Sequence, residues 1–200
     1  MSELGRIEKP AINNYTFKRK LYCVPNVIPF TDGSDEYTKL LDKYWEDVLV
    51  QLEKLNIVWK IKKVFCENIY VEGQDALNVL ENTNKKAFEI VQAKIKEGAL
   101  VVPIENKELL GLFIDWRNCL SVVRTVDVFR QVYNFYMEVL NNRLQHIQDV
   151  IDKNLPAGEA SLLLMEDEMR SKIQFSSDIE VFLVRPPSYD DLIKWLRNNL

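Results

Sequence analysis

Residues 161–165 read Ser-Leu-Leu-Leu-Met, a continuous apolar run bounded by turn chemistry: Pro156 and Gly158 precede it, and Glu166, Asp167 and Glu168 follow. An unbroken apolar run, unlike an alternating one, suits a strand enclosed in the interior. It sits inside a closing unit of helix, strand, strand and helix. Ahead of it Phe129, Val132, Tyr133, Tyr136, Leu140, Leu144, Ile147 and Ile151 recur at helical spacing. That spacing predicts a helix over 125–153, roughly 42 Å long at 1.5 Å per residue. Thr125 is placed to cap it, and Pro156 with Gly158 ends it. Residues 172–175 alternate, and 179–184 are strongly β-prone. Pro186 and Pro187 stop that strand, and Ser188 opens a terminal helix over 188–198 with Asp190 and Asp191 in its first turn.

The earlier part of the chain carries similar punctuation. A strand over 20–24 is ended by Pro25 and Pro29, and Ser34 after Gly33 is a candidate N-cap. Tyr37, Leu40, Leu41, Tyr44, Trp45, Val48, Leu52 and Leu55 then mark one face of a helix of about five turns. A strand over 61–66, helices near 74–81 and 85–97, and a short edge strand over 100–104 come next, with Gly98 as a left-handed helix stop. Leu109, Phe113, Trp116, Leu120 and Val123 form a further helical stripe. The expected class is α/β, with mixed α+β as the alternative: helix-rich, with a small sheet of five or six strands covered by long helices. Residues 1–200 are expected to form one domain, any division falling between lobes at 14–104 and 105–200. A strict heptad from Phe129 and Val132 would bring Arg143 to a core position. The 3.6-residue period is therefore preferred, which favours a core or bridging helix over an oligomer interface.

Composition narrows the function classes. Apolar residues make up 47% of the chain and charged ones 28%, so disorder is excluded. The formal charge of −4 argues against nucleic acid as an obligate partner. Cys23, Cys66 and Cys119 are an odd number without CxxC spacing, which suits buried, reduced thiols in a cytoplasmic protein. The opening MSELGRIEKP carries charges where a signal peptide would have its apolar core, and no apolar run approaches the ~20 residues of a membrane span.

Phosphate-binding glycine loops, HExxH and GxSxG are all absent, so no catalytic residue and no cofactor are assigned. The single histidine, His146, excludes a metal site built on two histidines of one chain. Glu166, Asp167 and Glu168 follow a strand, where open α/β sheets collect ligands, and Asp178 would join them if the two strands pair. Such a group of oxygens would hold Mg²⁺; the plainer reading is ordinary turn chemistry. Lys18, Arg19 and Lys20 alternate with Tyr15, Phe17 and Tyr22, and Trp59, Lys60, Lys62 and Lys63 extend the set. Interleaved rings and cations suit single-stranded nucleic acid, whereas lysines on an edge strand also simply discourage aggregation.

The segments RKLYCVPNVIPF, DEYTKLLDKYWEDVLVQLEKL and ASLLLMEDEMRSKIQFSSDIEVFLVRPPSYDDLIKWLR together resemble a full-length family of uncharacterised prokaryotic proteins of about this size. The likeness covers most of the chain and implies no activity. The chain is also faintly similar to release-factor-related domains, in which a long helix leads into an apolar strand, a turn and a second strand. Their peptide-release members carry Gly-Gly-Gln, which this sequence lacks. That resemblance therefore implies a ribosome or RNA association without peptide release. The expected function is a non-catalytic binding or interaction protein, with homo-oligomers through its helices. An RNA- or ribosome-associated protein comes second, and a metal-assisted hydrolase third.

Overall fold

Every strand of the chain is followed by at least one helix before the next strand begins, and helical crossovers of this kind make neighbouring strands parallel. The computed structural model describes residues 18–30 and 33–199. The strands are β1 (Arg19–Pro25), β2 (Ile61–Cys66), β3 (Leu100–Pro103), β4 (Ala160–Met165) and β5 (Ile179–Leu183). They form one all-parallel sheet in the order β3-β2-β4-β1-β5. Seven helices accompany them among the described residues: α1 (Asp35–Val58), α2 (Gly73–Thr83), α3 (Lys85–Lys96), α4 (Lys107–Val122), α5 (Val126–Asn154), α6 (Asp167–Ser171) and α7 (Pro187–Asn199). The α/β class and the five-stranded, helix-covered sheet are as the sequence predicts.

The apolar run explains the layering. Leu162 and Leu164 point into a core made with α1, α2, α3 and α7, while Leu163 and Met165 point into a second core under α4, α5 and α6. Neighbouring strands divide the same way: Tyr22 and Val24 face the first core, Leu21 and Cys23 the second. Neither face of β4 meets water, which is why its sequence does not alternate. Helix ends follow local chemistry. The Ser34 hydroxyl accepts from the Tyr37 amide at 3.2 Å to start α1, and Gly98 takes a φ of +98° just past α3.

The closing segment differs from what its alternation at 172–175 and a pairing of its two strands would give. Residues 172–175 are not a strand. They leave α6 as irregular chain, with Ile173 buried in the second core. Strands β4 and β5 do not pair either, since β1 lies between them. Both halves of the chain contribute to the one sheet, with β4 inserted between β1 and β2. Arg143, whose place at a heptad core position counted against that pattern, is in fact buried in α5 at 1% exposure. Among the described residues no helix is long and apolar enough to cross a membrane.

Since both faces of β4 are enclosed, Leu162→Ala and Leu163→Ala should each cost about 2–5 kcal/mol. Urea unfolding of the two variants checks this: a strand with one exposed face would spare one of them.

Candidate functional site

A crevice forms in a parallel sheet where two neighbouring strands send their chains to opposite faces. Here β4 leads to α6 on one face, while its two neighbours, β1 and β2, lead to α1 and to α2 and α3 on the other. A cleft of about 820 Å³ opens at their carboxyl ends. Its lining includes Asn26 after β1, Glu67 after β2, Glu166 after β4, Phe113 of α4, and Tyr189 and Arg197 of α7.

Specific contacts hold the cleft loops. The Asn84 side chain donates to Asn26 Oδ1 and to the Val27 carbonyl, both at 2.9 Å, while its own oxygen caps α3 through the Ala87 amide at 3.2 Å. One buried amide thus sets a helix start and the loop after β1. The Tyr44 hydroxyl donates to the Pro25 carbonyl at the very end of β1.

Behind the wall lies a buried ionic triad. Arg143 of α5 bonds Glu105, which follows β3, through Nε at 2.9 Å and also through Nη2. Its Nη2 also reaches Glu67, which follows β2, at 3.0 Å. Glu67 Oε2 then accepts from the Glu166 amide at the end of β4 at 2.7 Å, and Glu105 Oε1 accepts from the Asn68 amide at 3.0 Å. One guanidinium therefore ties together the ends of three strands. Its Cζ lies 4.5 Å from the ring centre of Phe113, and its Nη1 is buried with no hydrogen bond to the described residues. Burial holds the Glu67 carboxyl above the usual carboxylate range, against the opposing pull of Arg143 and the Glu166 amide.

The acidic turn lines the same cleft, and its charges are only partly balanced. Asp167 pairs with Arg170 at 3.1 Å and with Arg185 at 3.3 Å, and Glu168 pairs with Lys172 at 2.7 Å. Among the described residues no ion pair holds Glu166, Arg117 or Arg197, all of which line the cleft. Asp178 is not with them. It precedes β5, so in a parallel sheet it lies at the opposite edge, where it binds Arg19 at 2.7 Å. Among the described residues no three His, Cys, Asp or Glu gather closely enough to hold a metal.

The basic segments meet at that opposite edge, because Lys20 and Ile61 both stand beside Ala160 in register. They do not form an open cationic surface. Arg19 is bound to Asp152 and Asp178, each at 2.7 Å. Lys20 is buried, with its ammonium 3.8 Å from the Trp59 ring centre. Lys63 approaches Asn154 at 3.4 Å, Lys18 is half-buried, and only Lys60 and Lys62 are exposed. Tyr22 is buried against Phe182, and Tyr15 and Phe17 lie outside the described residues.

Sequence reading missed Glu67, Glu105 and Arg143. The signal was a polar residue directly after each strand: Asn26, Glu67, Glu166 and Arg185 follow β1, β2, β4 and Val184, and Glu105 follows Ile104. No protein-family model matches the chain, and neither a curated protein nor a solved structure matches it. No relative therefore bears on the likeness to release-factor domains.

Arg143→Met would strand two buried carboxylates and should cost about 3–5 kcal/mol at neutral pH. The deficit should narrow on acidification. A carboxyl raised above its ordinary value of 4.5 binds more protons folded than unfolded. Its contribution is thus complete below that value and lost as pH rises through the folded pKa. Urea unfolding of wild type and variant between pH 4.5 and 8 reads both effects; a deficit constant across that range would contradict the assignment.

Proposed function

We propose that the protein binds a small organic molecule in the cleft at the ends of β1 and β4, and that recognition rather than turnover is its role. One observation carries the reading: an 820 Å³ cleft lies at the switch point of the sheet, within the size range of small-molecule sites. The lining suits a ligand with an apolar or aromatic body and charged substituents. Phe113, Ile114, Ile193 and Leu196 offer apolar contact, Arg117 and Arg197 would meet an acidic group, and Glu166 would meet a donor.

Glu67 lines the cleft, but both of its oxygens are engaged, by Arg143 and the Glu166 amide, and the other groups suited to turnover stand elsewhere. His146 is on α5 outside the lining, and burial pushes the Cys23 and Cys66 thiols up to about 12. All three cysteines are free, which supports a reducing, cytoplasmic setting.

The test uses anilinonaphthalene sulfonate, an aromatic anion, as a fluorescent probe on the full chain, followed by competition with amino acids, nucleosides and aromatic acids. Ile114→Trp should fill the wall and Arg117→Glu should repel the sulfonate, each weakening probe binding at least tenfold. Binding unchanged in both variants, or lost instead in Phe129→Glu/Tyr133→Glu, would place the probe elsewhere and sink the reading.

A further inference from the structure

A second hollow adjoins the cleft. Helix α7 carries Asp190, Ile193, Lys194 and Arg197 at steps of three, one and three, which places them on one face. With Arg185, which follows Val184, and Asn198 they line a hollow of about 370 Å³. Ile193 and Arg197 also line the main cleft, so the two spaces share a wall. Arg185 stands at the same boundary. Its Cζ lies 4.7 Å from the ring centre of Tyr189 and its Nη1 lies 3.3 Å from Asp167, both residues of the main cleft.

Charge sets this hollow apart. The whole chain carries −4, yet here three cations, Arg185, Lys194 and Arg197, meet one carboxylate, Asp190. Among the described residues no ion pair holds Lys194 or Arg197. Arg185 is held loosely. Its contacts with Asp167 at 3.3 Å and Asp190 at 3.4 Å exceed the ~2.7–2.9 Å of a charge-assisted hydrogen bond. Arg19, by contrast, meets Asp152 and Asp178 at 2.7 Å. Asp167 is also shared with Arg170 at 3.1 Å, so it does not neutralise Arg185. The lining of the hollow is left with a surplus of positive charge.

We infer that the ligand of the cleft is a phosphomonoester, its phosphate held by Arg185, Lys194 and Arg197 and its apolar or aromatic body in the main cleft beyond Ile193. This deepens the small-molecule reading above and rests on it. Charge selects the class. A carboxylate or sulfonate brings a single negative charge to three cations, whereas a phosphomonoester brings close to two at neutral pH, with three acceptor oxygens. Guanidinium groups bond phosphate oxygens in pairs, and a lysine adds a point charge. The shared wall lets one molecule occupy both spaces.

Calorimetric titration of the full chain with 1-naphthyl phosphate and 1-naphthalenesulfonate tests it, since the two share a ring system and differ in charge. The phosphate should bind roughly tenfold more tightly than the sulfonate. Lys194→Ala and Arg185→Ala, both at exposed positions, should each remove most of that preference. Equal affinity for the two compounds would overturn the phosphate assignment and leave the small-molecule reading standing. A preference that persists in both variants would do the same. Inorganic phosphate binding as tightly as 1-naphthyl phosphate would mean an anion site independent of the cleft, which overturns the link between the two spaces. Binding of neither naphthyl compound would overturn this inference and the small-molecule reading together.

Discussion

Strand β4 is apolar on both faces and hydrogen-bonded on both edges, and few arrangements satisfy all four demands together. Covering both faces needs two helical layers, so α1, α2, α3 and α7 lie on one side and α4, α5 and α6 on the other. Pairing both edges needs strands to left and right, so β1 and β2 are held one strand apart. Each burial of a leucine side chain contributes about 1.5–3 kcal/mol, and at the centre of the sheet Leu162, Leu163 and Leu164 are all fully enclosed. The chain after β4 leaves to the face opposite that taken after both β1 and β2, and that divergence opens the cleft.

The Arg143 triad does at the carboxyl edge what β4 does in the middle. Loops at that edge carry polar residues that no ladder hydrogen bond can fix. A guanidinium shared between Glu67 and Glu105, with the Glu166 amide on the other oxygen of Glu67, fixes the departures from β2, β3 and β4 relative to one another. A buried ion pair is a poor source of net stability, because desolvation opposes the Coulomb gain, but it specifies geometry. Phe113 under the guanidinium and Glu67 beside it also line the cleft, so the wall inherits the rigidity of the triad.

Most elements were legible in the sequence because they are governed by local chemistry. Ser34, Gly98 and Pro186-Pro187 act within one turn of chain, and the stripe from Tyr37 to Leu55 depends only on helical period. Strand order was not legible. Backbone hydrogen bonds are alike for any pair of apolar strands, so nothing in residues 160–165 or 179–183 says that β1 must come between them. The same ambiguity left the place of Asp178 hanging on a pairing of β4 with β5 that does not occur, and it lies at the other edge. The triad was hidden for a different reason. Its three members come from positions 67, 105 and 143, and each alone reads as a break in an apolar pattern rather than as one third of a site.

The order of the strands also has a consequence for how the protein is made. β1 is finished by residue 25, yet both of its partners, β4 and β5, lie beyond residue 159. At a synthesis rate of roughly 5–20 residues per second, the first strand waits on the order of ten seconds for its neighbours. Through that interval Leu21, Tyr22, Cys23 and Val24 have no strand to pair with, and only the helices already made can cover them. A nascent chain halted after α5 would hold almost all of the helices and no continuous sheet. β2 and β3 can pair early, but the five strands can join into one sheet only when the last quarter of the chain leaves the ribosome.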